Sequence, residues 1–296
     1  MSKAVGIIPA RWASTRFPGK PLHLIAGKPL LRRVWERCRR ARKLDSVIIA
    51  TDDMRIASAA FSWGAEVALT SPRHRSGTDR VAEVAQKAKE FAYIINIQGD
   101  EPLVDPRLID KLVETLRADG KIDIVTAAHP FSNVAEASSP HQVKVVVDLR
   151  GNALYFSRAP IPASRSGGFR TAESKPGRFV SLRPAEEGLR RARGNRPSLY
   201  LRHQGIYGFR REALLQFVKW KPSPLEQAEA LEQLRPLENG VRVHVLVTKH
   251  GSPGVDTPQD AKTLAASLRE ASDKSAKHRA RRVVQSATAT GRRIVR

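Results

Sequence analysis

Short apolar runs alternate with amphipathic stretches along most of the chain. In the first half, Val- and Ile-rich runs predict buried strands at 5–8, 47–50, 93–97, 123–127 and 143–147. Between them, apolar residues recur at three- and four-residue spacing, which predicts helices at 28–43, 53–63, 77–90 and 106–118. Continuous apolar strands separated by helices indicate a mostly parallel sheet that helices cover on both faces.

The second half has a more mixed pattern. It predicts strands at 153–157, 199–209 and 241–247, and helices at 211–219 and 224–237. A final helix is expected to begin at Thr257-Pro258, with Thr257 as the N-cap and Pro258 at the first helical position. We therefore predict one α/β domain over 1–270, a Rossmann-like sheet with a smaller mixed α/β subregion at about 130–240.

Two segments lack a steady period. Residues 166–197 are rich in Gly, Ser, Arg and Pro and predict a flexible basic insertion, and 271–296 predict a disordered basic tail. The net charge of +23 is concentrated there: 164–202 carry ten Lys/Arg against three Glu, and 268–296 carry nine against two acids. This distribution favours basic solvated appendages over a nucleic-acid-binding surface, although a basic nucleic-acid-binding protein stays open as an alternative.

Length and cysteine content narrow the class of protein. The 296 residues with 41% hydrophobic content are enough to bury a core. No run approaches the roughly 20 apolar residues that span a bilayer, so no membrane insertion is expected. The single cysteine, Cys38, excludes an internal disulfide and predicts a cytoplasmic location. Because Cys38 lies inside a predicted helix, a catalytic cysteine is disfavoured.

The loop after the first predicted strand, residues 9–20, is dense in phosphate-binding groups. It carries Arg11, Arg16 and Lys20 as cations and Ser14 as a hydroxyl donor. A triphosphate needs several charge-assisted donors at fixed spacing, and ligands bind at the carboxyl ends of strands in such sheets. The spacing differs from the Walker A loop and from the Rossmann glycine fingerprint. An ordinary basic surface loop is the alternative to a triphosphate loop.

The segment Ile8-Pro-Ala-Arg-x-x-Ser-Thr-Arg-x-Pro-Gly-Lys-Pro-Leu22 resembles the signature of the 3-deoxy-manno-octulosonate (Kdo) cytidylyltransferases, or CMP-Kdo synthetases. Further segments resemble that family in the same order: 50–52, 76–80, 96–102, 153–158, 201–208, 222–226, 231–235 and 254–260. The resemblance covers roughly 4–268 and leaves out the insertion and the tail. It implies a nucleotidyltransferase fold, CTP and Kdo as substrates, a role in lipopolysaccharide biosynthesis, and a homodimer.

The resemblance also implies a metal site. Asp100, after the strand at 93–97, and Asp256, before the final helix, match positions that bind Mg²⁺ in that family. Read alone, Asp100 could be a turn residue and Asp256 a helix cap. A hard cation held by one or two carboxylates and phosphate oxygens suits nucleotidyl transfer. The implied reaction is attack of the sugar's anomeric hydroxyl on the α-phosphate of CTP, with Arg11, Arg16, Lys20 and Asp100 as catalytic residues.

The remaining candidates divide into a nucleotide side and a sugar side. The loop chemistry together with the resemblance predicts nucleotide binding by Arg11, Ser14, Arg16, Lys20, Ser76, Arg80 and Gln98. The resemblance implies sugar binding by Arg158, Arg165, His203, Tyr207, Glu232 and Gln233. Singly, each sugar-side residue could equally be structural. Arg75 stands where the family commonly has Gln, which affects the expected cytosine contacts. A related acidic sugar, such as 8-amino-Kdo, is the alternative substrate.

Overall fold

The computed structural model describes residues 2–13, 17–163 and 200–270 of the chain. The predicted insertion at 166–197 and the predicted tail at 271–296 lie outside the described residues. The same holds for three candidate site residues: Ser14, Arg16 and Arg165.

One large sheet organises the described part of the chain. The described strands are β1 (Lys3–Ala10), β2 (Leu24–Ile25), β3 (Lys28–Pro29), β4 (Ser46–Thr51), β5 (Glu66–Leu69), β6 (Phe91–Asn96), β7 (Ile124–Pro130), β8 (Lys144–Val147), β9 (Ala153–Ser157), β10 (Leu201–Arg210) and β11 (Val243–Val247). β2 and β3 form a small separate hairpin, and the other strands form the large sheet. The strand order is β11-β7-β10-β6-β1-β4-β5, and β8 pairs with both β10 and β9. On this path of described strands, only β10 runs against the common direction, which confirms the mostly parallel sheet. The antiparallel pairs of β8, β9 and β10 form the predicted mixed subregion.

Helices cover both faces of the sheet, as predicted. They are α1 (Leu30–Cys38), α2 (Met54–Ser62), α3 (Gly77–Lys87), α4 (Pro106–Ala118), α5 (Val134–Ser138), α6 (Arg211–Phe217), α7 (Pro224–Glu229), α8 (Leu234–Glu238) and α9, described over 258–270. Alternate side chains of β1 point to opposite faces. Ala4 and Ile8 join the core that α1, α2 and α4 cover, whereas Val5 and Ile7 join the core under α3 and α6. The sequence pattern missed β5, α5 and the hairpin, which are all five residues long or shorter.

The predicted helix at 224–237 is wrong as a single element. α7 ends at Glu229, Ala230 takes a left-handed φ of 50°, and α8 begins only at Leu234. Pro236 lacks the N–H that would bond to the carbonyl of residue 232, so a continuous helix is disfavoured here. The spacing of apolar residues nevertheless continues through this segment and predicted a single helix. The break frees residues 231–233 to turn towards the sheet.

The last described helix starts where the sequence predicts. Asp260 N donates to Thr257 Oγ1 (3.2 Å), and Thr257 N donates to Asp260 Oδ2 (2.8 Å), which is a reciprocal cap. A separate apolar cluster joins Val255 and Ala261 to Phe17 and Ile25. α9 is thereby packed against the predicted phosphate loop and the β2–β3 hairpin that follows it. No helix in the described part of the chain has the length and apolar character that crossing a bilayer requires.

Candidate active site

The site lies at the carboxyl edge of the parallel strands. β1 lies between β4 and β6, and Pro9 of β1 is in register with Ala50 while Ile7 is in register with Asn96. Arg11 therefore follows β1 close to where Gln98 and Asp100 follow β6. Parallel strands bring their carboxyl ends to one edge, which is why residues distant in sequence meet here.

Lys20 joins the two predicted metal-binding aspartates. Its Nζ lies 2.8 Å from Asp100 Oδ2 and 3.2 Å from Asp256 Oδ1. The Lys20 side chain is 14% exposed, against 30% for Asp100 and 59% for Asp256. Val255 N donates to Asp100 O (2.9 Å), so the backbone before α9 is fixed to the loop after β6. Because Thr257 and Asp260 cap α9, the carboxylate of Asp256 is available to face Lys20.

Backbone geometry places Lys20. Gly19 has a φ of 68°, in the left-handed region that favours glycine, and a short 3₁₀ turn (Lys20–Leu22) follows it. Leu22 N donates to Gly19 O (3.0 Å), which closes the turn. The Gly-Lys pair of the sequence motif therefore directs the Lys20 ammonium towards the aspartates.

Arg11 ties the phosphate loop to the loop before α3. Its Nη1 donates to Arg75 O (3.2 Å). Burial lowers the pKa of Arg11 from its usual value, and the nearby charge of Arg80 lowers it further. Nearby carboxylates, those of Asp52 and Glu232 among them, act in the opposite direction and raise this pKa. The Arg11 guanidinium can donate charge-assisted hydrogen bonds to a phosphate.

Arg80 is enclosed rather than open to a ligand. Its side chain is fully buried; Nη1 donates to Thr70 Oγ1, and Nη2 lies 3.2 Å from Asp52 Oδ1. Nε and Nη2 have no hydrogen-bond partner in the described part of the chain, although Nη2 lies within ion-pair distance of Asp52. Nucleotide binding by Arg80 stays a prediction, and the structure gives it a place beneath the surface beside Arg11.

The predicted nucleotide and sugar segments meet at Glu232. Ser76 caps α3 through a capping box with Asp79. Thr78, the second residue of α3, donates a hydrogen bond from Oγ1 to Glu232 Oε2 (2.9 Å). Glu232 comes from the break between α7 and α8, and burial raises its pKa. Glu232 Oε1 is buried without a hydrogen-bond partner among the described residues.

A cavity of about 230 Å³ lies beside this contact. Its polar lining consists of Thr78, Gln98, His203, Tyr207, Glu232 and Gln233. Burial lowers the pKa of His203 to about 3, so its ring is neutral at physiological pH. The ring Nε2 lies 2.9 Å from Thr126 Oγ1. Burial also raises the pKa of Tyr207 well above its usual value, which keeps the phenol neutral. The cavity therefore offers neutral hydrogen-bonding groups that suit sugar hydroxyls.

Arg158 lies outside the cavity lining and binds backbone carbonyls. It donates from Nε to Glu229 O (2.8 Å), from Nη1 to Pro140 O (3.2 Å) and from Nη2 to Ala230 O (3.3 Å). The structure does not bring Arg158 together with His203 and Tyr207 in the described cavity. Its sugar contact stays a prediction, whereas its contact with the helix break is formed.

Sequence reasoning missed Glu101 and the nearby cation Arg202, whose charge lowers the pKa of Glu101. Burial, and then the charge of Asp100, raises the pKa of Glu101 to about 8. A Cβ on Gly205 would lie 3.3 Å from Gln98 Cγ and 3.9 Å from Glu101 Oε1, which places Glu101 at the cavity edge. The sequence could have indicated both residues, because each lies beside a candidate site residue within a family-like segment. Glu101 follows Asp100, and Arg202 precedes His203.

Cys38 is excluded as a nucleophile. The residue is fully buried in α1, and burial raises the pKa of its thiol, which disfavours the reactive thiolate.

Comparison with known proteins identifies related cytidylyltransferases over most of the chain. Residues 5–243 match a family model described as cytidylyltransferase. A 3-deoxy-manno-octulosonate cytidylyltransferase of Geobacter metallireducens is 44% identical over 90% of this chain and 98% of its own length. The same enzyme of Pseudomonas syringae pv. tomato is 44% identical over 86% of this chain and 93% of its own length.

Solved structures agree as well. A CMP:2-keto-3-deoxy-manno-octonic acid synthetase complexed with CTP superimposes with a TM-score of 0.78 at 38% identity, over 91% of this chain and 99% of that chain. A cytidylyltransferase from Leptospira borgpetersenii, at 16% identity and a TM-score of 0.54 over 90% of this chain and 86% of its own, shares the fold. The chain belongs to the cytidylyltransferase family, among the 3-deoxy-manno-octulosonate cytidylyltransferases.

Proposed function

We propose that this protein transfers the cytidylyl group of CTP to 3-deoxy-D-manno-octulosonate, giving CMP-Kdo and pyrophosphate for lipopolysaccharide biosynthesis. The observation that carries the proposal is the position of Lys20, bound to Asp100 and Asp256 at the carboxyl edge of the sheet. The cavity at the Glu232–Thr78 contact, with its polar lining, is the second support. Because CTP is a cytoplasmic metabolite, the proposed reaction places the protein in the cytoplasm.

The donor set fits Mg²⁺ as the cofactor. Asp100 and Asp256 supply hard carboxylate oxygens on either side of one ammonium, so this position already accommodates a cation. No group of three or more His, Cys, Asp or Glu in the described residues could hold a metal by itself. Two carboxylates completed by phosphate oxygens match the way Mg²⁺ is held at nucleotide sites. When bound, the ion would neutralise charge that develops on the phosphates.

The residues of the chain have distinct proposed roles in the reaction. Arg11 and Lys20 bind and orient the triphosphate and stabilise the charge that passes to the leaving pyrophosphate. The oxygen of the sugar's anomeric hydroxyl forms a bond to the α-phosphorus and loses its proton to water. The bond from that phosphorus to the pyrophosphate oxygen breaks, and pyrophosphate leaves. Tyr207, Glu232 and Gln233 orient the sugar in the cavity. Ser14, Arg16 and Arg165 keep their predicted binding roles and lie outside the described residues.

A pyrophosphate-release assay tests the function. With Mg²⁺, we expect turnover with CTP plus Kdo and none with ATP or UTP in place of CTP. Each nucleotide is also assayed without sugar to measure simple hydrolysis. Turnover only with 8-amino-Kdo would establish the alternative substrate, and turnover only with ATP or UTP would overturn the proposal. We also propose a homodimer, which light scattering measures directly.

Glu229 provides a test of the sugar side. Its carboxylate accepts from Ser157 Oγ (2.6 Å) and from Arg158 N (2.9 Å), which fixes the end of α7 just before the break that carries Glu232 and Gln233. We expect Glu229→Ala to raise the KM for Kdo about tenfold, since unpaired buried groups at this junction cost about 1–3 kcal/mol. The KM for CTP should change less than about twofold.

Glu229→Gln is the matched control because it keeps one acceptor oxygen. We expect it to behave between the wild type and Glu229→Ala. A parallel rise in both KM values, with a lowered melting temperature, would show general loosening of the fold instead of a local effect on the sugar side.

A further inference from the structure

A stack of side chains holds the neck of the predicted triphosphate loop. The neck is the point where Trp12 and Gly19 meet: Gly19 N donates to Trp12 O (3.3 Å). A Cβ added to Gly19 would lie 3.3 Å from the outer ring atoms of Trp12. Arg11 directly precedes Trp12, and Lys20 directly follows Gly19. The contact between Trp12 and Gly19 therefore sets the spacing of the two described cations of this loop.

Arg55 covers the Trp12 ring. The guanidinium carbon of Arg55 lies 3.6 Å from the centre of the Trp12 ring, which is stacking distance for a cation–π contact. Arg55 comes from the first turn of α2 and not from the loop. The ring is thus held between the backbone of Gly19 and the guanidinium of a separate helix.

Asp53 fixes Arg55. Its carboxylate accepts from Arg55 N (2.9 Å), from Nε (3.0 Å) and from Nη2 (2.6 Å). Asp53 N in turn donates to Thr51 Oγ1 (3.2 Å), and Thr51 is the fully buried last residue of β4. A continuous set of contacts runs from the carboxyl end of β4 to the neck of the loop.

The same local pair occurs a second time, without a ring contact among the described residues. At the start of α4, the Asp105 carboxylate accepts from Arg107 N (2.9 Å), Nε (3.3 Å) and Nη2 (3.1 Å). The Arg107 side chain is 87% exposed, against 59% for Arg55. An Asp cap with Arg two residues later is therefore a local motif, and what differs at α2 is the aromatic ring beneath the guanidinium.

We infer that Trp12 and Arg55 are positioning residues for CTP, which hold Arg11 and Lys20 at the spacing that the triphosphate requires. The inference rests on the proposed use of CTP. Neither side chain needs to touch the nucleotide; both act through the neck. Pre-organised cations bind a polyanion more tightly because less ordering is left to be done on binding. The effect is expected on CTP affinity, with the sugar side unaffected.

Kinetics and calorimetry with CTP test the inference. We expect Trp12→Ala to raise the KM and the Kd for CTP about tenfold, and Arg55→Ala to raise them about three- to fivefold. The KM for Kdo should stay within about twofold in both variants. Trp12→Phe keeps a ring and should stay close to the wild type. Arg107→Ala, the matched control, removes the same local pair and should leave all constants unchanged.

A double variant separates a stack from two independent effects. If Arg55 acts through the Trp12 ring, Trp12→Ala/Arg55→Ala should bind CTP no more weakly than Trp12→Ala alone. CTP should also change the tryptophan fluorescence of the wild type, and Trp12→Phe should lose that change.

Two results overturn the inference: Arg55→Ala binding CTP as tightly as Arg107→Ala does, or additive losses in the double variant. A wild-type protein that binds CTP but releases no pyrophosphate with Kdo would instead contradict the proposed function. The two failures are therefore distinguishable.

Discussion

Asp100→Ala should abolish measurable turnover while CTP still binds. Asp100 lies 2.8 Å from Lys20 and is one of the two proposed Mg²⁺ ligands. Metal assistance supplies several kcal/mol to the transition state, and each 1.36 kcal/mol is about tenfold in rate, so we expect a loss of at least about 10³-fold in kcat. The Kd for CTP should rise less than about tenfold, because the variant keeps Arg11 and Lys20, the proposed triphosphate-binding cations.

Raised Mg²⁺ and a conservative variant sharpen this test. Turnover of Asp100→Ala should not recover at high Mg²⁺, and Asp100→Asn, which keeps the shape but not the charge, should be almost as impaired. Asp110→Ala is the control, since Asp110 is a partly exposed aspartate of α4 whose carboxylate accepts a hydrogen bond from Lys43 N (2.8 Å). Near-normal turnover in Asp100→Ala would remove Asp100 from the proposed metal site.

Lys20→Ala should lower kcat/KM by about 10²- to 10³-fold, the range measured when a single transition-state donor is removed. Lys20 is the cation that lies between Asp100 and Asp256. Lys20→Arg should rescue little, because a planar guanidinium does not fit the place of a compact ammonium.

The metal dependence of Lys20→Ala reveals the cause of its defect. The variant leaves two carboxylates without their shared ammonium, so the apparent Kd for Mg²⁺ should fall or stay unchanged rather than rise. Lys28→Ala is the matched control: Lys28 pairs with Glu36 (2.6 Å) on the surface after the same loop and should leave turnover within about twofold. A Lys20→Ala variant that saturates with CTP and turns over normally would contradict a role in phosphate binding.

The parallel half of the sheet could be predicted because its signal is local. Buried strands such as β1 and β6 are continuous apolar runs, and the helices between them keep a three- and four-residue period. The start of α9 was predictable for the same reason, since Thr257 and Asp260 cap it from within one turn. β5 carries too few residues and too exposed a pattern for such a signal.

Residue chemistry and motif order identified the phosphate loop and the sugar-side residues. They did not predict how these residues are arranged in space. Pro236 sits inside an apolar period that predicts one helix, so only the folded chain shows the break at Ala230 that turns Glu232 towards Thr78. Arg80 and Arg158 carry the charge expected of ligand-binding residues. Packing encloses the first and directs the second to backbone carbonyls.

By itself, the sequence determined the fold class, the density of cations after β1 and the residue types that nucleotidyl transfer needs, because these depend on neighbours in the chain. Only the tertiary structure decided that Lys20 binds both Asp100 and Asp256, which are 80 and 236 residues away. The physical reason is packing: parallel strands align β1 with β6, and the apolar contacts of α9 with Phe17 and Ile25 bring Asp256 to the loop.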